Sequence, residues 1–502
     1  FDHQISIQTV ILKKMTIFAN NLIKKHYSRV MKKITKRVFV ILFLSSALFS
    51  LNAEIRMPVI FGDNMVLQQQ SEAAIWGWAK ANTSVRVTTS WNNKSYSAKS
   101  DGQGYWKLKV KTPAAGYTPY TITISDGKAI ALNNILIGEV WICSGQSNME
   151  MPMKGFGNQP IEGGPEAIAT SRNPGIRCFT MKKASKSAPQ ADGEGTWEIA
   201  GPETTPDFTA TGYYFGRLLN QALDVPVGLI HTSWGGSRIE AWMTPSSIKS
   251  VIPDVQIPAT DADIKSQNGT PTVLYNGMLH PIVGYGIRGA IWYQGESNRG
   301  EPDRYVELFD KMVREWRTIW QVGEFPFYYC QIAPYNYGSG LNSGFIREAQ
   351  AKGMKTTPNT GMAVLMDSDS PGCIHPPKKK QAGERLALWA LAKTYGMDKI
   401  HYRSPEVQSV TMEGRVAVVT MDIPSSPGLT TYGKEVLQFQ VAGDDKRFHP
   451  AKAAVAGNRI FVFSPNVEKP TAVRYCFNDT EATEIFTVEG NLPLSSFRTD
   501  NW

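Results

Sequence analysis

Cysteine is scarce in this 502-residue chain: Cys143, Cys178, Cys330, Cys373 and Cys476, odd in number and far apart. That excludes a disulfide-stapled scaffold and a CxxC metal site, although one pair could still form in an oxidising compartment. Clusters of His, Asp and Glu at metal-ligand spacing are missing, so neither a metal nor an organic cofactor is expected. There is no internal repeat, no low-complexity tract and no second membrane-type segment beyond one apolar run near the start.

That run, Val38 to Phe49, follows the basic stretch Met31-Lys-Lys-Ile-Thr-Lys-Arg37 and leads into Leu51-Asn-Ala53. A basic start, a short apolar core and a small residue at the cut read as a secretory signal peptide, cleaved after Ala53. The core is short for a membrane span, and no cysteine at the cut offers a lipid anchor; a retained N-terminal anchor is the rival reading. Residues 1–30 precede a more natural start at Met31 and read as an over-extended gene start. The expected location is secreted or periplasmic, with no stable membrane insertion once the leader (1–53) is gone. Most of the positive charge goes with it: residues 1–53 hold nine Lys/Arg and one Asp, and removing them takes the net charge from +9 to +1. The whole-chain charge is therefore no argument for a nucleic-acid partner.

The remaining 449 residues suggest two or three domains. Residues 54–134 alternate at period two, as in Ala73-Ala-Ile-Trp-Gly-Trp, Ser84-Val-Arg-Val-Thr-Thr and Tyr120-Thr-Ile-Thr-Ile, with Gly and Asn/Asp turns between. A β-sandwich is predicted there. Residues 135–400 change to strands alternating with helices. The strands expected are Ile135–Cys143, Val225–Ile230, Gly289–Tyr293, Phe327–Ile332 and Met362–Met366; the helices are Tyr213–Ala222, Asp303–Trp320 and Lys380–Ala392. This pattern predicts an α/β domain with a parallel sheet covered on both faces. Residues 401–502 return to short strands and form a β-rich C-terminal domain.

In open parallel sheets, sites form beyond the carboxyl ends of the strands. Four such ends carry glycines beside polar groups: Ser144-Gly-Gln-Ser-Asn148, His231-Thr-Ser-Trp-Gly-Gly-Ser237, Gln294-Gly-Glu-Ser-Asn298, and Asp367 with Pro371-Gly-Cys-Ile-His-Pro376. Together they can supply a nucleophile, backbone and amide donors, and a histidine base, the inventory of acyl transfer. His231 reads as a hydrogen-bonded structural histidine, and Lys378-Lys-Lys380 as a solvated helix start. Arg238 and Trp242 either contact a sugar or pack at the domain edge.

These blocks, in this order, resemble the SGNH hydrolases and specifically the sialate O-acetylesterase family of carbohydrate esterases. Phe61-Gly-Asp-Asn-Met-Val-Leu-Gln68, Tyr275-Asn-Gly-Met278, Arg347-Glu-Ala-Gln350 and Phe497-Arg-Thr-Asp500 extend the resemblance over nearly all of residues 55–502. It implies an SGNH-hydrolase-like doubly wound parallel sheet flanked by β-rich, sandwich-like domains. The activity implied is removal of O-acetyl groups from sialic acids, through an acyl-enzyme on a serine. An acetylesterase for xylan or another plant polysaccharide, or a non-catalytic carbohydrate-binding protein on the same fold, are the rivals. The partner in each case is an O-acetylated sugar or glycan.

Carried over, Ser147 matches the nucleophile, His375 the general base, and Gly236 (or Gly235 beside it) an oxyanion-hole glycine. The third donor is expected to be the Gln294 side chain, with Asn298 next. Many SGNH enzymes place an Asp three residues before the His; here that position is Gly372. Asp367, Asp369, Glu296 or a backbone carbonyl remain as the group orienting the imidazole. Gln146, Glu296, Asn298 and Arg238 complete the expected substrate contacts.

Overall fold

The computed structural model describes residues 55–338, 340–368, 370–422 and 428–502; the leader and Asp369 lie outside them. In the N-terminal part the period-two stretches form β1 (Val66–Gln68), β2 (Glu72–Trp78), β3 (Ser84–Thr89), β4 (Lys94–Lys99), β5 (Tyr105–Lys111) and β6 (Gly116–Ser125). β2 pairs with β5, while β4, β3 and β6 form a second, antiparallel layer. The inward residues Val85, Val87, Ile122 and Ile124 are buried, as alternation on a half-covered sheet requires.

A 17-residue strand, β7 (Ala129–Gly145), then runs from one region into the next. Its first half is antiparallel to β6 and its second half is parallel to two strands of the α/β sheet. The residue 134/135 position thus falls inside a continuous strand, and Arg56–Trp502 forms one compact unit.

After β7 come α1 (Ser147–Glu150), α2 (Gly164–Ala169), β8 (Asn173–Thr180), β9 (Trp197–Ala200), α3 (Ala210–Leu223), β10 (Val227–Ser233) and α4 (Pro245–Val251). They are followed by β11 (Gly289–Tyr293), α5 (Pro302–Trp320), β12 (Phe327–Cys330), α6 (Gly344–Thr356), β13 (Thr360–Ala363) and α7 (Lys379–Lys393). The strand order is β13-β12-β11-β7-β10-β8-β9, parallel except for β9. On one side of β7 the strands β11, β12 and β13 follow outward in chain order; on the other the chain goes first to β8 and β9 and returns to β10 beside β7. The chain thus leaves β7 towards one side of the sheet and β11 towards the other, so the topological switch lies at the carboxyl ends of β7 and β11.

Alternate residues of the strands feed two cores. Trp141 packs on Phe215 of α3 and on Tyr328, which in turn meets Trp389 of α7. On the other face Trp292 and Phe327 pack on Trp316, and Tyr329 on Phe309, both from α5. The buried stripe of α5, from Tyr305 through Leu308, Phe309, Met312, Val313, Trp316 and Trp320, has helical spacing. Truncating a fully buried Trp of this kind to Ala costs roughly 3–5 kcal/mol.

The C-terminal region is antiparallel. Its strands are β14 (Glu406–Glu413), β15 (Val416–Asp422), β16 (Leu429–Thr430), β17 (Val436–Ala442), β18 (Phe448–Ala456), β19 (Arg459–Phe463), β20 (Ala472–Tyr475), β21 (Phe486–Thr487) and β22 (Phe497–Arg498). Seven of them form one sheet in the order β14-β15-β19-β18-β17-β20-β22. Arg347 of α6 anchors this region. Its buried guanidinium donates to Ser496 Oγ and to the carbonyls of Cys476 and Asn478. Arg498 answers with an ion pair to Glu348 at 3.1 Å. All five cysteines are free thiols.

Candidate active site

The site grows from the end of β7. Gly145 has φ +138°, and a Cβ there would sit 2.2 Å from the Tyr293 carbonyl, so only glycine lets β7 close on β11. The Gln146 N–H donates to that carbonyl at 2.9 Å, and α1 begins at Ser147. As the first helical residue, Ser147 has no intrahelical acceptor for its own N–H. Its side chain is part-exposed.

Both neighbours of Ser147 are fastened to the loop after β11. Gln146 Oε1 accepts from the Gly295 and Ser297 N–H groups at 3.2 and 3.4 Å. That fixes the amide's orientation, and its NH₂ donates to no group among the described residues. Asn148 Nδ2 donates to Glu296 Oε1 at 2.6 Å and to the Ile374 carbonyl at 3.0 Å. The second of these ties the residue before His375 to the residue after Ser147.

His375 lies against Phe156 with ring centroids 5.1 Å apart. Its Nδ1 is 2.6 Å from Gln159 Oε1. A carbonyl oxygen can only accept, so Nδ1 carries the proton and Nε2 is the free base. Burial, reinforced by Lys379, pushes the His375 pKa down to about 4, which keeps the ring unprotonated at neutral pH.

The loop after β10 supplies the glycines. A Cβ on Gly235 would lie 3.3 Å from that of Ser147, so this glycine is in contact with the serine. Its N–H is taken by Glu150 and its carbonyl by Asn268. Gly236, exposed and at φ +71°, keeps an N–H with no partner among the described residues. The N–H groups of Ser147 and Gly236 and the Gln146 amide are thus the uncommitted donors around the serine.

Several expected contacts are corrected. Gln294 is fully buried and spent: its Nε2 donates to the Ser237 carbonyl and to Asn298 Oδ1, and its Oε1 accepts from Tyr305. Asn298 is spent too, accepting from the Ile239 N–H and donating to Glu240. Arg238 is paired with Glu240 at 2.7 Å and Glu301 at 2.9 Å. Glu296 is 8% exposed and braces Asn148. Asp367 does not reach the imidazole; its two oxygens hold Arg385 at 2.7 and 2.6 Å. Trp242 is fully buried, with its Nε1 on Ser237 Oγ. His231 is bonded through Nε2 to Ser233 Oγ at 2.6 Å, a structural arrangement as read.

Two residues escaped the sequence reading. Gln159 sits in a stretch with no strand or helix pattern, and only the fold brings it to His375. Lys379 is not solvated but 1% exposed. The signal was present: Lys379 heads the buried row Ala382, Gly383, Leu386, Ala387 and Ala390 at helical spacing.

The family model described as "Carbohydrate esterase, sialic acid-specific acetylesterase" matches residues 137–387. The chain is 28% identical over 413 residues to a sialate O-acetylesterase of Rattus norvegicus, covering 70% of this chain and 76% of that one. It is 29% identical over 399 residues to the Homo sapiens sialate O-acetylesterase, covering 71% and 74%. A crystal structure of a novel carbohydrate acetylesterase from Xanthomonas citri is similar at 34% identity and TM-score 0.81, over 89% of this chain and 100% of that one.

Proposed function

The chain belongs to the sialic acid-specific acetylesterase family of carbohydrate esterases and is a carboxylic ester hydrolase; from its site we propose a serine acyl-enzyme mechanism acting on O-acetylated sugars. One observation carries this reading: Ser147 stands at the topological switch of the parallel sheet, with free donors around it and the His375 segment fastened to its neighbour. On this reading the sheet is of SGNH-hydrolase type.

Ser147 Oγ attacks the acetyl carbonyl carbon while His375 Nε2 takes the hydroxyl proton. The oxyanion accepts from the N–H groups of Ser147 and Gly236 and from the Gln146 amide. His375 then passes its proton to the departing sugar oxygen, leaving acetyl-Ser147. Water, activated by the same imidazole, releases acetate. Gln159 fixes the tautomer through a neutral carbonyl, so it orients the base without the charge of a carboxylate.

Acetylated sialic acid is the first substrate, as the names of the mammalian relatives suggest. A second reading, an acetylated neutral polysaccharide, is favoured by the charges beside the glycine loop. Lys183 is paired with Glu150, and Arg238 with Glu240 and Glu301, so the positive charge there is already offset by carboxylates. From the leader read in the sequence we infer a secreted or periplasmic location. Acetate release from O-acetyl sialic acids and from acetylated xylan, with Ser147→Ala as control, tests both. Release from sialic acids supports the first substrate and release from xylan alone the second. Turnover by folded Ser147→Ala contradicts the mechanism.

A further inference from the structure

Lys379 and Glu296 are buried beneath the site, and the mechanism above uses neither. Lys379 Nζ donates to Asn148 Oδ1 at 2.6 Å and to the Pro376 carbonyl at 2.9 Å. The same Asn148 donates through Nδ2 to Glu296 Oε1 and to the Ile374 carbonyl. Asn148 is 1% exposed, and both of its amide N–H donors and one lone pair of its carbonyl oxygen are taken by these contacts. Ile374 and Pro376 are the residues on either side of His375. An amine and a carboxyl from different elements therefore meet on one amide, and that amide sits next to Ser147.

We propose that Lys379 and Glu296 are positioning residues for the general base: through Asn148 they clamp the two peptide carbonyls flanking His375 onto the residue beside the nucleophile. The proposal rests on Ser147 and His375 being the nucleophile and base. It assigns the distance between them to a buried polar bridge that contacts neither reacting side chain. Cys373 adds a thiol donor to the His375 carbonyl at 3.1 Å, so all three carbonyls of the segment are held.

The clamp is also electrostatic. Lys379 faces Glu296, Cys330 and Cys373, and lies over the Tyr293 ring; Asp367 and Lys378 line the small cavity beside it. Burial pushes the Lys379 pKa down to about 7, and Glu296 opposes that shift. The positive end at Lys379 in turn helps hold His375 unprotonated.

The test is the pH profile of Lys379→Met and of the near-isosteric Glu296→Gln, measured with a chromogenic acetate ester. Lys379→Met is expected to lower kcat about 100-fold with KM within about threefold, as for a base displaced by about 1 Å. Its acid limb in kcat/KM should move to higher pH, which a purely structural role would not do. Glu296→Gln keeps the oxygen that Asn148 donates to but removes the counter-charge of Lys379. Its expected loss is three- to tenfold, roughly 0.7–1.4 kcal/mol of barrier, with the acid limb unmoved or at lower pH, because removing a carboxylate leaves Lys379 charged there and cannot favour the imidazolium. Wild-type kcat and an unmoved limb in folded Lys379→Met overturn the proposal. If that variant does not fold, wild-type kcat in Glu296→Gln overturns it. Activity in Ser147→Ala would instead sink the underlying mechanism, so the two failures are distinct.

Discussion

Two neighbouring strand ends carry nearly the same four residues: Gly145-Gln-Ser-Asn148 after β7 and Gly295-Glu-Ser-Asn298 after β11. The strands are parallel and paired, with Tyr293 opposite Gly145. Yet the polar groups are used in opposite ways. Around Ser297 they are closed on the protein: Asn298 holds Gln294, Ile239 and Glu240, and the Gly295 and Ser297 N–H groups point to Gln146. Around Ser147 the backbone N–H and the Gln146 NH₂ remain open. The second loop is the frame of the first, since Gln146 and Asn148 are both anchored to it. A reactive serine needs donors that are aimed but unspent, and a saturated twin next door is what aims them.

The largest expected effect separates the two serines. Ser147→Ala should cut kcat on acetate esters by at least about 1,000-fold with the fold intact, while Ser297→Ala stays within about threefold. Comparable losses in both would erase the distinction between the loops. Next come the two glutamines. Gln146→Ala should lower kcat by about 100-fold, the cost of one oxyanion donor. Gln294→Ala should mainly destabilise, by about 1–3 kcal/mol in urea unfolding, because Tyr305 and Asn298 lose buried partners. The reverse pattern would return Gln294 to the oxyanion hole.

A smaller effect concerns the imidazole. Gln159→Ala should cost about tenfold in kcat by releasing Nδ1. Asp367→Asn should lose less activity but unfold earlier, because it breaks a bidentate pair with Arg385 that is largely buried. A loss in Asp367→Asn rivalling that of Ser147→Ala would make Asp367 the triad acid after all.

The smallest effect is a displaced pH limb. His375 must be neutral to act, so kcat/KM should fall on the acid side near pH 4 instead of near the ordinary 6.5. The same depressed pKa costs stability as pH falls from about 6.5 towards 4, because the unfolded chain takes up the proton first. A limb at 6.5 would mean that the imidazole is neither buried nor facing Lys379 as described.

Much of this was legible in the sequence because it depends on pattern. The five expected parallel strands and the helices around them are present, shifted by a few residues at their ends, since apolar period and turn residues mark them locally. Ser147 and His375 stood out as polar residues at strand ends. What the sequence could not show is which partner takes a given donor. Gln294, Asn298 and Arg238 have the right chemistry for a site, and neighbours on other elements consume it. Asp367 is claimed by Arg385 of α7. Gln159 carries no pattern of its own. Lys379 looked solvated within a lysine run, although the small and apolar residues following it at helical spacing placed it on the buried face.

The central claim is that, of the twin loops, only the one after β7 bears a nucleophile. Reaction with a fluorophosphonate serine probe, followed by peptide mapping of wild-type protein and Ser147→Ala, tests it directly. The account predicts stoichiometric label on the peptide containing Ser147, loss of acetate release in step with labelling, and no label in Ser147→Ala. Label on Ser297, or full activity after Ser147 is modified, would contradict it.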